Sequence, residues 1–197
     1  MLQEAGGVRQ AGGRLVLGRR RRAAEMDYVS LAALLSMERL TYGVVWKNPK
    51  VVTPISSAFG MKGKEPEFLF NLVRLFKLVQ LYVFATWYYA HYGTSLPSLS
   101  WLQMVLGSSV ALFGQLLNFL VWYRIGLEGV CYGCKFGRNV PWCTQFPYSH
   151  FAHPQYLGAI LTVWGMFILS WNECNDWYVL PVVETLLYAS SMYYLEA

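Results

Sequence analysis

The sequence predicts an all-α integral membrane protein: four spanning helices, an N-terminal helix that is re-entrant or interfacial, and a last pair forming a tight hairpin. Three observations predict it. First, 55% of the 197 residues are hydrophobic and 14% are charged, where a soluble domain carries about 25%. Second, the charges are confined: residues 78–123 and 139–172 contain no Asp, Glu, Lys or Arg. A spanning helix needs about 20 mainly apolar residues. The first run therefore holds two helices, parted by the turn Gly93-Thr94-Ser95-Leu96-Pro97. Third, Trp and Tyr gather at the ends of the apolar stretches, as in an interfacial belt.

Segment one, about 28–46, is apolar but carries Glu38 and Arg39 near its middle. Charges at bilayer depth are costly, so this segment is read as interfacial or re-entrant. Residues 47–66, with three prolines and four lysines, read as a loop. Segment two covers about 68–92, with Arg74 and Lys77 able to snorkel toward the headgroups. Segment three covers about 99–123. A long glycine-rich loop, 124–154, follows. Segment four covers 155–171 and segment five about 178–195, joined by a short acidic turn. Glu184, inside segment five, reads as a structural acid bonded to a neighbouring helix.

Six of the sixteen basic residues are arginines in residues 1–25. That leader reads as a solvated tail near anionic lipid; a nucleic-acid partner is not expected. An Arg-rich, acid-poor leader also fits a transit peptide into an organelle such as the mitochondrion, and Met26 is an alternative start. Residues 26–197 form one membrane domain. The lysines of 47–66 and Arg124, Lys135 and Arg138 put both long loops, and the C-terminus, in the cytosol. Cys131, Cys134, Cys143, His150 and His153 fit no zinc spacing well, and no metal or disulfide is expected.

The chemistry concentrates on the cytosolic side. Gly126, Gly129, Gly133 and Gly137 allow positive φ and close backbone approach. Irregular backbone at membrane depth is tolerated where it lines a cavity. A pocket open to the cytosol at the membrane surface follows, its alternative being a structural loop packed under the helices.

Several motifs carry a resemblance. They are Phe113-Gly114-Gln115-Leu116-Leu117, Gly126-Leu127-Glu128-Gly129, Val140-Pro141-Trp142 with Thr144-Gln145-Phe146-Pro147, and His153-Pro154-Gln155-Tyr156-Leu157-Gly158. With a hairpin ending at Glu196, the chain resembles the phospholipid N-methyltransferase family, most closely the plant and fungal branch acting on phosphatidyl-N-methylethanolamine. The resemblance implies transfer of methyl groups from S-adenosylmethionine to a membrane phospholipid amine, giving phosphatidylcholine, at the cytosolic face of the endoplasmic reticulum. It implies cofactor contacts at Leu112, Phe113 and Gly114, where the family's Gly-x-Gly keeps only its last glycine. It also implies contacts at Leu195 and Glu196, where one acid of a pair is kept, and at Gly126, Gly129 and Tyr156.

The reaction needs a neutral amine, whereas a lipid ammonium is mostly protonated at neutral pH, so a base or desolvation is required. His153 and Glu196 are the candidate catalytic residues, with Glu128 third. Tyr156, Trp142 and Tyr148 are candidates for holding cations on their ring faces. Two other readings compete. An isoprenylcysteine carboxyl methyltransferase shares the His-Pro-x-Tyr-x-Gly block but expects an arginine where Ala152 stands. A non-enzymatic membrane scaffold with a decayed site fits Leu112 and Leu195.

Overall fold

The computed structural model describes residues 26–171 and 174–195. Among these the chain is all-helical. The arginine leader, Glu196 and part of the acidic turn lie outside the described residues.

Helix α1 spans Tyr28–Lys47, with the Asp27 carboxylate accepting from the backbone N–H groups of Val29 and Ser30 at its start. A 3₁₀ turn, Pro49–Val51, leads into the short α2, Val52–Ala58. The sequence expectation of a plain loop missed both. Pro54 sits in the first turn of α2, where its missing N–H costs nothing. Helix α3 runs Glu65–Tyr92, with Pro66, Glu65 and Glu67 in its first turn, suited to the positive end of the helix dipole. Helix α4 runs Trp101–Val130 from a capping box between Ser100 and Gln103. It continues seven residues beyond Tyr123, turning at Gly126, whose φ of 61° is open to glycine at little cost. Helix α5 covers Pro154–Ile168, and α6, Val179–Ser190, runs on as a π turn through Ser191–Leu195.

Among the described residues two helices, α3 and α4, are long and apolar enough to cross a membrane. Helix α5, at 15 residues, is a shorter apolar helix of about 22 Å. Helices α5 and α6 form the expected hairpin, tied by a 2.9 Å hydrogen bond from Trp164 Nε1 to Thr185 Oγ1.

Helix α1 is the segment expected to be re-entrant or interfacial. It is one unbroken helix of 20 residues, about 30 Å long, whose two ends meet opposite ends of the bundle. The Tyr28 hydroxyl bonds Asp176 in the α5–α6 turn, which also bonds His91 at the end of α3. Eighteen residues on, the Trp46 ring meets Tyr132, beyond the end of α4, at 5.5 Å. The charges that suggest an interface, Glu38 and Arg39, are both buried in protein. Trp87 and Tyr92, expected in an aromatic belt, are also core residues, packed with Leu31, Leu35, Phe167 and Leu180.

The main packing seam joins α4 to α5 and is built of small residues. Gly107, Ala111 and Gly114 face Gly158, Thr162 and Gly165. A Cβ on Gly114 would lie 2.5 Å from Gly158 O, and one on Gly158 would lie 2.7 Å from Gly114 O. Lipid offers no hydrophobic drive for helices to associate, so close backbone contact of this kind holds such pairs. Helix α4 touches α3 far less, and a cleft opens between them.

Candidate functional site

The cleft encloses about 1060 Å³. Its walls come from α1, α3, α4 and α5, with Tyr188 of α6 and the residues after Val130 closing one end. That end holds His153, exposed at the entry of α5, with its ring parallel to Tyr156 at a centroid distance of 5.7 Å. Tyr156 is buried; its hydroxyl shares a 2.9 Å hydrogen bond with that of Tyr132, and its ring lies 5.4 Å from Tyr188. The hairpin thus returns the chain to the level of His153, as the sequence implies. Tyr148 also lines the cleft, and burial pushes its phenol up to about 12. It therefore stays protonated at neutral pH, a hydrogen-bond donor and not a base.

Deeper in the cleft lies a polar cluster midway along α1. The Glu38 carboxylate contacts the Arg39 guanidinium and accepts a 2.9 Å hydrogen bond from Lys77 Nζ of α3. Gln80 Nε2 donates 2.6 Å to Glu184 Oε1 of α6. Glu184 is thus bonded to a neighbouring helix, as expected. The Arg39 Cζ stands 4.7, 5.3 and 4.3 Å from the ring centres of Tyr42, Tyr156 and Tyr188, a cation held among three aromatic faces. On the α4 and α5 walls, Gln115 Nε2 donates 3.1 Å to Thr162 Oγ1, and Asn118 stands nearby.

The sequence-derived candidates divide between cleft and periphery. His153, Tyr156, Tyr148 and Gly129 line the cleft. Gly126 provides the turn that carries α4 past it. Leu112 and Phe113 do not line it: they are 68% and 43% exposed, on the outward side of α4. Gly114 is buried in the α4–α5 seam, where its missing side chain admits α5. Trp142 is 92% exposed and away from the cleft. Glu128 packs against Gly133 outside it. Leu195 closes the π turn, and Glu196 lies outside the described residues.

Sequence reasoning missed Arg39, Lys77 and Tyr42 as site residues. The signal is present, since Glu38 and Arg39 are conspicuous in an apolar stretch, but in sequence alone it reads as an interfacial or re-entrant segment. Among the described residues, Cys131, Cys134, Cys143 and Cys174 form no disulfide. Among the described residues, a different set brings potential ligand atoms within 4.8 Å of one another: His91, Cys174 and Asp176, at the opposite end of the bundle.

A methyl-transfer family enters through comparison with known proteins. Residues 102–196 match the phospholipid methyltransferase family. The chain is also 42% identical over 77 residues to a phosphatidyl-N-methylethanolamine N-methyltransferase of Arabidopsis thaliana, an overlap covering 39% of this chain and 46% of that relative. The chain thus spans about half the length of the curated relative it matches. No solved structure matches. The matched segment supplies α4, α5, α6 and the intervening loop. The walls from α1 and α3, with the Glu38–Arg39–Lys77 cluster, come from residues outside it.

Proposed function

We propose that the protein is a membrane-bound methyltransferase that N-methylates phosphatidyl-N-methylethanolamine and its dimethyl successor to phosphatidylcholine. S-adenosylmethionine is the proposed donor. One observation carries this reading: the segment matched to phospholipid methyltransferases builds the α4 and α5 walls of the cleft and places His153 and Tyr156 on it.

The cleft's residues fit such a donor and substrate. The volume is that of a ligand site, and the faces of Tyr156 and Tyr148 suit a cation. When bound, S-adenosylmethionine supplies a methyl group carried on a positively charged sulfonium. His153, at the mouth, accepts the proton that the lipid ammonium must lose before its nitrogen can attack. Asn118, Gln115 and Thr162 offer polar groups along the opposite wall, and the apolar remainder excludes water from the reacting pair. Alignment of amine, methyl and leaving sulfur supplies the rest. Glu196 remains a proposed donor contact. Leu112, Phe113 and Gly114 do not open on the cleft.

The proposed setting is the endoplasmic reticulum membrane, with the cleft's His153 end toward the cytosol. Tags in the 47–66 loop and at the C-terminus are expected to be cytosolic, and a tag at Thr94 lumenal, in a protease-protection assay; a cytosolic Thr94 tag would overturn this orientation. His153→Gln is expected to lower turnover by about 100-fold if His153 is the general base, read as initial rates at saturating lipid and donor.

The activity itself is tested by reconstituting the full chain with labelled S-adenosylmethionine and separating the products. Label in methylated phospholipid supports the proposal. Label only in the methyl ester of a prenylated cysteine peptide supports the second reading, and no label with no donor binding supports a scaffold.

A further inference from the structure

We infer that Arg39 binds the phosphodiester of the lipid substrate, so that the headgroup lies across Tyr156 with its amine toward His153. The inference rests on the lipid-methylating reading above and names the group that would position its substrate.

Arg39 is 5% exposed and lines the cleft. Its guanidinium is fixed on three sides by Tyr42, Tyr156 and Tyr188 and on a fourth by Glu38. Its Nη1 has no hydrogen-bond partner among the described residues. A buried, unsatisfied donor on a charged group is costly, and the rigid mounting makes relief by rotation difficult. The charge balance points the same way. The charged residues on the cleft walls are Arg39, Arg74 and Lys77 against Glu38, with Glu184 bonded to Gln80 beside them, so that basic groups outnumber acidic ones three to two within an apolar surround. The missing component is an anion with a planar or tetrahedral set of acceptor oxygens, the geometry a guanidinium grips best.

A membrane supplies such an anion as the lipid phosphodiester. In a phosphatidylethanolamine-type headgroup, two carbons separate the phosphate oxygen from the amine. Tyr156 neighbours both proposed contacts, 5.3 Å from Arg39 Cζ and 5.7 Å from the His153 ring. A headgroup anchored at Arg39 and laid over one aromatic ring brings its nitrogen to the base. Two other sources offer similar anionic chemistry, free phosphate and the carboxylate of the methyl donor, and the experiment separates them.

The test uses the full chain in a phosphate-free maltoside detergent. The probe is dihexanoyl phosphatidyl-N-methylethanolamine, titrated by tryptophan fluorescence; S-adenosylhomocysteine and inorganic phosphate are titrated in parallel. Arg39→Lys keeps the charge but loses the planar fork. It is expected to weaken lipid binding by about tenfold, the scale of one charge-assisted hydrogen bond, with S-adenosylhomocysteine affinity within twofold of the parent. Unchanged lipid affinity overturns the inference. So does a loss confined to S-adenosylhomocysteine, which assigns the anion to the donor carboxylate, and so does inorganic phosphate binding as tightly as the lipid. If Arg39→Lys does not fold, Lys77→Gln is read in its place. Lys77 is half exposed and strands no buried charge, and lipid affinity must then fall several-fold or the inference fails. Because binding is read apart from turnover, a parent that binds the lipid through Arg39 but transfers no methyl sinks the enzyme reading alone. A parent that methylates the lipid while Arg39→Lys binds normally sinks the anchor alone.

Discussion

Replacing Gly114 or Gly158 by leucine is expected to leave little folded protein. The two glycines oppose each other where α4 crosses α5, and the atoms in the way are backbone. A Cβ on Gly114 meets Gly158 O at 2.5 Å and Thr162 N at 2.7 Å; a Cβ on Gly165 meets Gly107 O at 2.6 Å. Backbone cannot rotate aside as a side chain can, so the helices must separate along their largest shared face. Even alanine is expected to destabilise. Its gain in helix propensity is about 1 kcal/mol, whereas overpacking a fitted contact costs about 1–3 kcal/mol. Leucine adds a whole side chain to the same gap. Thermal unfolding in detergent, followed by helical circular dichroism, measures this. A leucine variant at Gly114 that melts like the parent but no longer binds the methyl donor would instead support the cofactor contact implied by family resemblance.

The second large effect is expected at Glu38. Glu38→Ala leaves Arg39 buried without its carboxylate, while Lys77, 45% exposed at its side chain, can turn to solvent. Breaking a buried pair from one side costs about 3–5 kcal/mol, a large share of a typical folding free energy of about 5–15 kcal/mol. Glu184→Gln makes the informative contrast. Its amide oxygen can still accept from Gln80 Nε2, so the loss is expected to stay within about 1 kcal/mol, the worth of an ordinary hydrogen bond. Denaturant midpoints for the two variants should differ widely. Equal midpoints would mean that the Glu38–Arg39 pair is not the buried interaction described here.

The contrast between these two acids also explains what was legible in the sequence. Long charge-free runs located α3 and α4, because apolar length is a direct demand of the bilayer. The capping box of Ser100 and Gln103 that starts α4 went unread, although such chemistry acts within four residues. Glu184 could be assigned a helix partner, since an acid so placed needs one. The path of α1 was not legible. Glu38 and Arg39 look the same in one dimension whether they face water or a protein interior, and only Lys77, 38 residues further on, together with Tyr156 and Tyr188, distinguishes the two. Gly114 was ambiguous for a related reason. A glycine in a helix signals close approach, but the sequence does not say whether Gly158 or a ligand does the approaching. His153 and Tyr156 are singled out by the His-Pro-x-Tyr-x-Gly block and by the need for a base and a cation-holding ring, and both line the cleft.

The central claim is that lipid amine and methyl donor meet in the cleft bounded by α1, α3, α4 and α5. Photocrosslinking tests it most directly. A short-chain phosphatidylethanolamine bearing a diazirine at its amine would be irradiated with the full chain, with and without S-adenosylhomocysteine, and the adducts mapped by mass spectrometry. The account predicts adducts on cleft residues, with Tyr156, Tyr148 and His153 among them, that excess unlabelled lipid removes. Adducts confined to the outward residues Leu112 and Phe113, leaving the cleft unlabelled, would contradict it.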